Sequence, residues 1–256
     1  MSKLDLSMII QGPLADECLT HIPIYFDFVD EVIVSCWEED ILPAHYTQIE
    51  HFKELYGPKF KFISNPMPTL ERVKKWMPDQ SANYYYQIFS TYRGLQEVTT
   101  KYTIKSRTDE YYSNLEPLIA KFLDKKTTLV SNNVFFRNIK EYPYHISDHL
   151  FIAETNLLKS AFEKMTTQLD STTEPPLRHL LIDEPVECLI AKTVLLDAGV
   201  AQEHLLNDIE TTMQTHLDIC DVNLLGKYKV RWNRAGIVFV NAMPYKGFKN
   251  MKEVLE

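Results

Sequence analysis

Tyr102-Thr103-Ile104-Lys105-Ser106-Arg107-Thr108-Asp109-Glu110 is the stretch whose reading decides the fold. It is short and β-prone, and it ends in two cations and two acids. An element that enters a core and releases charge only at its C-terminal end is how an open α/β sheet delivers ligand-binding groups. The segment before it, 83–98, reads as a helix. Tyr85, Ile88, Phe89, Tyr92 and Leu95 recur at spacings of three and four, which leaves Asn83, Gln87, Ser90 and Arg93 off the apolar stripe. Lys105 and Arg107 suit a phosphate, and Asp109 suits a divalent cation bridging that phosphate. A solvated strand end with a local Arg107–Asp109 pair accounts for the same spacing.

Upstream, Leu6-Ser7-Met8-Ile9-Ile10 is a buried strand stopped by Gln11-Gly12-Pro13. Gly12 lets backbone approach a ligand closely, and a plain strand–turn fits equally. Residues 16–28 read as a helix interrupted by Pro23, and 31–37 as a second strand ending at Trp37. An aromatic there either stacks on a base or sugar or simply packs. A helix over 44–55 stops at Gly57-Pro58, and 59–65 alternates as a third strand. Pro66 and Pro68 open a loop through Pro78, either a linker or an active-site flap.

Downstream, a helix over 114–123 and a strand over 127–132 follow. The first half thus alternates strand and helix, which calls for a mostly parallel sheet covered on both faces. The second half is less regular: a mixed run at 144–153, a helix over 155–165, a polar loop over 168–176 and a helix opening at Asp183-Glu184-Pro185-Val186-Glu187. Asp183 and Glu184 suit capping, since acids in a first helical turn complement the dipole, and a functional role for Glu184 stays open. A late strand falls at 236–240.

Composition bounds the class. At 256 residues, with 45% hydrophobic and 24% charged residues, the chain reads as one soluble globular domain. A formal charge of −8 argues against a nucleic-acid binder. Cys18, Cys36, Cys188 and Cys220 are scattered without a CxxC pair, which fits a reduced compartment. No signal peptide and no stretch of membrane-spanning length is visible, so a cytoplasmic protein is expected, with peripheral membrane contact left open. Only seven glycines, and neither GxGxxG nor GxxxxGK[ST], argue against a glycine-rich dinucleotide fold.

Four pieces in order carry a resemblance: Met8-Ile9-Ile10-Gln11-Gly12-Pro13, Ile33-Val34-Ser35-Cys36-Trp37, the block from Gln87 to Leu95 leading into Lys105-Ser106-Arg107-Thr108-Asp109, and Ile146-Ser147-Asp148-His149-Leu150-Phe151. Together they resemble the WavE lipopolysaccharide-synthesis family. The resemblance implies a glycosyltransferase with a GT-A-like, Rossmann-like fold: a mostly parallel central sheet flanked by helices, plus a C-terminal extension. It divides the single domain into a nucleotide-sugar half (1–132), an acceptor-side half (133–195) and the extension (196–256). Lys-Ser-Arg-Thr-Asp then stands where related transferases carry a metal-binding DxD. This chain departs from that motif, because Asp109 and Glu110 are adjacent, and Tyr86 stands where the family pattern has an Arg before the Gln.

The chemistry implied is transfer of a sugar from a nucleoside-diphosphate sugar to a glycan or glycolipid acceptor. Asp109 with Mn²⁺ or Mg²⁺, aided by Lys105 and Arg107, would neutralise the diphosphate. Gln11, Gly12, Pro13, Ser35 and Trp37 would hold the nucleoside, and Asn83 and Gln87 would reach the sugar or diphosphate. Glu187 is the acceptor-side base by resemblance, with Asp148 and Glu184 competing, and His216 is a candidate late metal ligand. A sugar-phosphate nucleotidyltransferase is the alternative, although the segment after Gly12 carries no Lys or Arg until Lys53. A catalytically inactive nucleotide-sugar-binding or assembly module of the same fold is the third reading.

Overall fold

The computed structural model describes residues 5–69, 83–125, 127–170, 185–231, 238–240 and 246–255. The expected flap beyond residue 69, the polar loop beyond 170, Asp183 and Glu184 lie outside them.

A seven-stranded sheet organises the chain. Its strands are β1 (Leu6–Gln11), β2 (Glu31–Trp37), β3 (Phe60–Asn65), β4 (Tyr102–Arg107), β6 (Leu129–Asn132), β7 (Phe151–Glu154) and β8 (Leu217–Cys220). Their order is β3-β2-β1-β4-β7-β6-β8. Pairing is parallel except on the two sides of β7, which runs against both β4 and β6. This is the mixed α/β, Rossmann-like architecture with a mostly parallel sheet that the alternation called for. β8, from the region read as an extension, forms the far edge of this sheet. A second sheet, β10-β9-β5, joins β5 (Tyr111–Tyr112), β9 (Tyr228–Arg231) and β10 (Val238–Val240) just beyond the end of β4.

Period two along the strands sends alternate residues to opposite faces, and each face finds its own helices. Met8, Ile10, Val32, Val34 and Ile104 pack with Leu19 and Ile22 of α1 (Cys18–Tyr25), Ile49 and Phe52 of α2 (Pro43–Tyr56), and Leu118 and Phe122 of α4 (Glu116–Lys125). Ile9, Ile33, Phe151 and Ala153 pack with Ile88 and Leu95 of α3 (Asn83–Gln96), Phe162 of α5 (Thr155–Asp170) and Val194 of α6 (Val186–Asp197). α3 sits close on the sheet because residue 94 is glycine: a Cβ there would meet Ile9 Cγ2 at 2.8 Å.

Three boundaries moved from the expectation for local reasons. α1 is shorter than 16–28, with Pro23 inside it and no acid in its first turn. β4 ends at Arg107 rather than 110: Thr108 N makes the last bond to β1, at Gln11 O (3.0 Å), and Glu110 N then donates back to Arg107 O (3.3 Å), closing a turn. In the run 144–153 only Phe151 onward is extended. The four cysteines are buried and none is in a disulfide, and among the described residues no helix is long and apolar enough to cross a membrane.

Candidate functional site

The C-terminal ends of β1, β2 and β4 meet. Gln11 is in register with both Ser35 and Arg107, and Gly12 N donates to Ser35 O at 3.2 Å. Gly12 takes φ +123°, open to glycine alone, and a Cβ there would stand 3.1 Å from Thr108 Oγ1. Thr108 in turn donates to the carbonyl of Pro13. The Gln-Gly-Pro turn is thus clasped to the end of β4, which brings Gly12 and Asp109 to one edge.

Three residues expected to hold a nucleoside, Gln11, Ser35 and Trp37, make contacts within the framework. Gln11 Oε1 accepts from Ser90 Oγ (2.7 Å), and Ser35 Oγ donates to Ser90 O (2.7 Å) while accepting from Asn65 Nδ2 (2.9 Å). These bonds strap α3 to the strand ends. Trp37 is 1% exposed, edge-on to Tyr86 and parallel to Phe89 at 6.0 Å, so its faces are filled by the core and not offered to a base. Asn83 begins α3.

What the end of β4 does assemble is a cluster of buried charge. Lys105 and Arg107, two apart, point to the same face. Lys105 is fully buried, lies over the Phe151 ring, donates to the backbone carbonyl of Asp148 and stands 3.9 Å from its Oδ2. Burial pulls its ammonium down to about 8, although Asp148 opposes the change. Arg107 grips Asp109 with two bonds, 3.0 and 3.2 Å, and stands 3.6 Å from both Glu110 and Asp148. Gln87 Nε2 donates to Asp148 Oδ2 at 2.7 Å. Burial alone would raise the Asp148 carboxyl; His149, Lys105 and Arg107 overcome it and hold the group well below the usual carboxylate range.

Sequence reasoning passed over the partners of this cluster. His149 Nδ1 bonds to Glu110 Oε1, and its Nε2 lies 3.6 Å from Asp148 Oδ1. Burial disfavours the imidazolium, but Glu110 and Asp148 outweigh it and raise the His149 pKa. Glu110 also accepts from Tyr112 OH (2.8 Å), which accepts from Asn132 Nδ2 (3.0 Å). The only signals were the adjacent acids Asp109-Glu110 and the Asp148-His149 pair, and nothing in the sequence says that they meet.

Glu187 lies in the first turn of α6. A helix N-terminus normally favours the carboxylate, yet burial first and Asp148 second raise this carboxyl to about 7. Its Oε2 stands 3.8 Å from His145 Nε2. Burial, then the charge of Arg137, lowers His145 to about 4, so it is neutral at physiological pH. The loop that carries His145 is strained: Tyr144 adopts φ +66° while wholly buried, a cost on the order of 1–3 kcal/mol that its surroundings must offset.

Two metal expectations need correction. Asp109 spends its carboxylate on Arg107, and Glu110 spends its own on His149 and Tyr112. Among the described residues no three His, Cys, Asp or Glu side chains come together in a metal-holding group. The acid set at the end of β4 therefore does not fit a carboxylate-held Mn²⁺ or Mg²⁺. His216 closes α7 (Ile209–His216) directly before β8 and contacts Thr128 at 2.9 Å before β6. Both strands run parallel to β4, so His216 sits at the opposite edge of the sheet.

No protein-family model matches this chain, and no curated protein matches it. Among solved structures the chain is similar to HddC from Yersinia pseudotuberculosis complexed with GMP-PN, at 12% identity and TM-score 0.38, over 61% of this chain and 79% of that one. It is also similar to the inositol-1-phosphate CTP transferase from T. maritima, at 8% identity and TM-score 0.42, over 76% and 83%. At such scores the likeness says nothing about activity.

Proposed function

We propose that this chain is a transferase acting on a nucleotide-activated sugar, and specifically a glycosyltransferase that moves the sugar to a hydroxyl acceptor, as its resemblance to the WavE family implies. The observation that carries the reading is the place of Glu187, a largely buried carboxyl in the first turn of α6, 3.8 Å from His145 Nε2 and in the field of Asp148 and Lys105, where burial raises its pKa. A hydroxyl needs a base to become a nucleophile, and a base works best with a pKa near the working pH. In the proposed step the acceptor oxygen bonds to the anomeric carbon as its proton passes to Glu187. The bond from that carbon to the diphosphate oxygen breaks with its electron pair on the leaving group. Arg107, the partly exposed cation of the cluster, meets that developing charge, and buried Lys105 holds Asp148 in place behind it.

The nucleotidyltransferase reading shares the cations but differs in two respects. Its nucleophile is a sugar phosphate, already ionised, which has no use for a carboxyl poised near neutrality. It also calls for cations in the loop after the first strand, and the segment after Gly12 has none before Lys53. One assay separates the readings. The protein is incubated with a panel of nucleotide sugars and hydroxyl acceptors, and separately with nucleoside triphosphates and sugar phosphates. Acceptor-dependent release of nucleoside diphosphate is expected. Pyrophosphate release in the second set would overturn the proposal in favour of nucleotidyl transfer, and silence in both would leave a binding module.

A further inference from the structure

His145 lies on the loop between β6 and β7, with its ring buried against α6 and Tyr142. A neutral imidazole has one N–H and one bare lone pair, and the surroundings choose which nitrogen carries which. Nε2 faces Glu187 Oε2, an acceptor, at 3.8 Å. Nδ1 is buried and makes no hydrogen bond of good geometry, although the backbone of His145 and Ile146 lies near enough to the ring to favour a proton on it. With the proton on Nδ1, a buried donor would find no well-aligned acceptor and a lone pair would face a carboxylate oxygen. With the proton on Nε2, the N–H faces an acceptor. The second tautomer wins on both counts.

The backbone fixes this aim. Tyr144 turns the chain at φ +66°, donates its phenol to Leu205 O (3.2 Å) and accepts at its own carbonyl from Ile146 N (2.9 Å). His145 N donates to Tyr142 O (3.2 Å), so the residue is held from both sides. The 3.8 Å gap is of the kind that closes when substrate orders a site.

We propose that His145 is a positioning residue for Glu187, donating Nε2–H to Oε2 and so keeping Oε1 turned toward the acceptor hydroxyl. This rests on the reading of Glu187 as the acceptor-side base. His145 takes no proton itself, because its ring is far less basic than the carboxylate it serves. The other charged groups that face Glu187 are Asp148, His149 and Lys105, and those that face His145 are Arg137 and Asp148. None of them replaces an N–H at Oε2.

The test needs no substrate for its decisive arms. In ¹⁵N-histidine NMR spectra of the wild-type protein, His145 is expected as the Nε2–H tautomer; the Nδ1–H tautomer would overturn the proposal. Glu187 is then titrated by ¹³C-carboxyl NMR, assigned by its loss in Glu187→Gln. His145→Leu removes the donor and is expected to raise the Glu187 midpoint by roughly one pH unit, while His145→Gln, which keeps an N–H, is expected to leave the midpoint close to the wild-type value. An unmoved midpoint in His145→Leu, or equal shifts in both variants, would overturn it. Wild-type protein that shows the tautomer and the shift but transfers no sugar would refute the glycosyltransferase reading and leave the His145–Glu187 contact established.

Discussion

Two buried charge clusters sit at opposite ends of the same sheet, and they are built differently. At the N-terminal edge a single carboxylate, Glu31, accepts from Ser7 Oγ (2.5 Å), Thr99 N (2.7 Å), Thr99 Oγ1 (3.2 Å) and Lys61 Nζ (3.2 Å). Burial opposes its charge, but those donors win and lower its pKa. At the C-terminal edge Lys105, Arg107 and His149 face Asp109, Glu110 and Asp148, with Glu187 held protonatable beside them. The first cluster has one acid and a full set of donors, so it can only hold the fold together. The second has more titratable groups than its own pairing needs. Surplus of that kind, at the end where an open α/β sheet binds ligands, marks the functional edge.

The comparison breaks most sharply at Glu187. Glu187→Gln is expected to lower turnover by about 10²- to 10⁴-fold while leaving the donor dissociation constant unchanged. Wild-type turnover should rise with pH through about 7, and this limb should vanish in the variant. Stability should move the other way. A carboxyl whose folded pKa lies above its unfolded value contributes stability while protonated, and that contribution is lost as pH rises from the unfolded value through about 7. Glu187→Gln should therefore be at least as stable as wild type at pH 8. Full turnover in the variant would remove Glu187 as the base and move the assignment to Asp148.

At the other edge the expected losses are reversed. Glu31→Ala leaves Lys61, Ser7 and Thr99 without their shared acceptor, and should cost roughly 3 kcal/mol of unfolding free energy in urea titrations. Turnover per folded molecule should be unchanged. Because the folded pKa of Glu31 is lowered, its contribution is present above the unfolded pKa of about 4.5 and is lost as pH falls through the folded value. The wild type should therefore lose stability in acid faster than the variant. Gly94→Ala tests the framework between the edges. Its Cβ would meet Ile9 at 2.8 Å, so α3 would have to lift off the sheet, at a net cost of about 1–2 kcal/mol after the gain in helix propensity.

The framework was far more legible than the site. Strands β1 to β4 announced themselves as apolar runs cut by Gly-Pro, Trp or charge, and the off-stripe positions of α3 showed which face turned from the core. Lys105, Arg107 and Asp109 were readable because a strand end that abruptly gains charge has few uses. Gln87 and Asp148 were candidates too, but the pairings were not readable, since Glu110 meets His149 across 39 residues and Gln87 meets Asp148 across 61. No local pattern encodes such separations. For the same reason the sequence could not show that β7 runs antiparallel, or that Trp37 finds Tyr86 and Phe89 before it can find a ligand. His145 hid for a further reason: its role depends on the backbone turn at Tyr144, a bulky residue that no rule would place at φ +66°.

The smallest effect is at Asp109, where the sign matters more than the size. A strand-end Asp read as a metal ligand predicts that Asp109→Asn weakens both donor binding and its response to Mn²⁺. The geometry predicts the opposite. Both oxygens of Asp109 lie on Arg107, the most exposed cation of the cluster, so the carboxylate competes with any incoming diphosphate for the same guanidinium. Asn keeps the shape but not the charge. Nucleoside diphosphate should therefore bind Asp109→Asn about three- to tenfold more tightly, the worth of roughly one kcal/mol of relieved competition at a partly exposed pair. Calorimetric titrations with and without Mn²⁺ read both quantities. Weaker binding together with a lost Mn²⁺ response would restore Asp109 as a metal ligand and displace Arg107 as the group that meets the diphosphate. Tighter binding, with a Mn²⁺ response the same as in wild type, would leave Arg107 in that role and make Asp109 the group that holds it in place until the donor arrives.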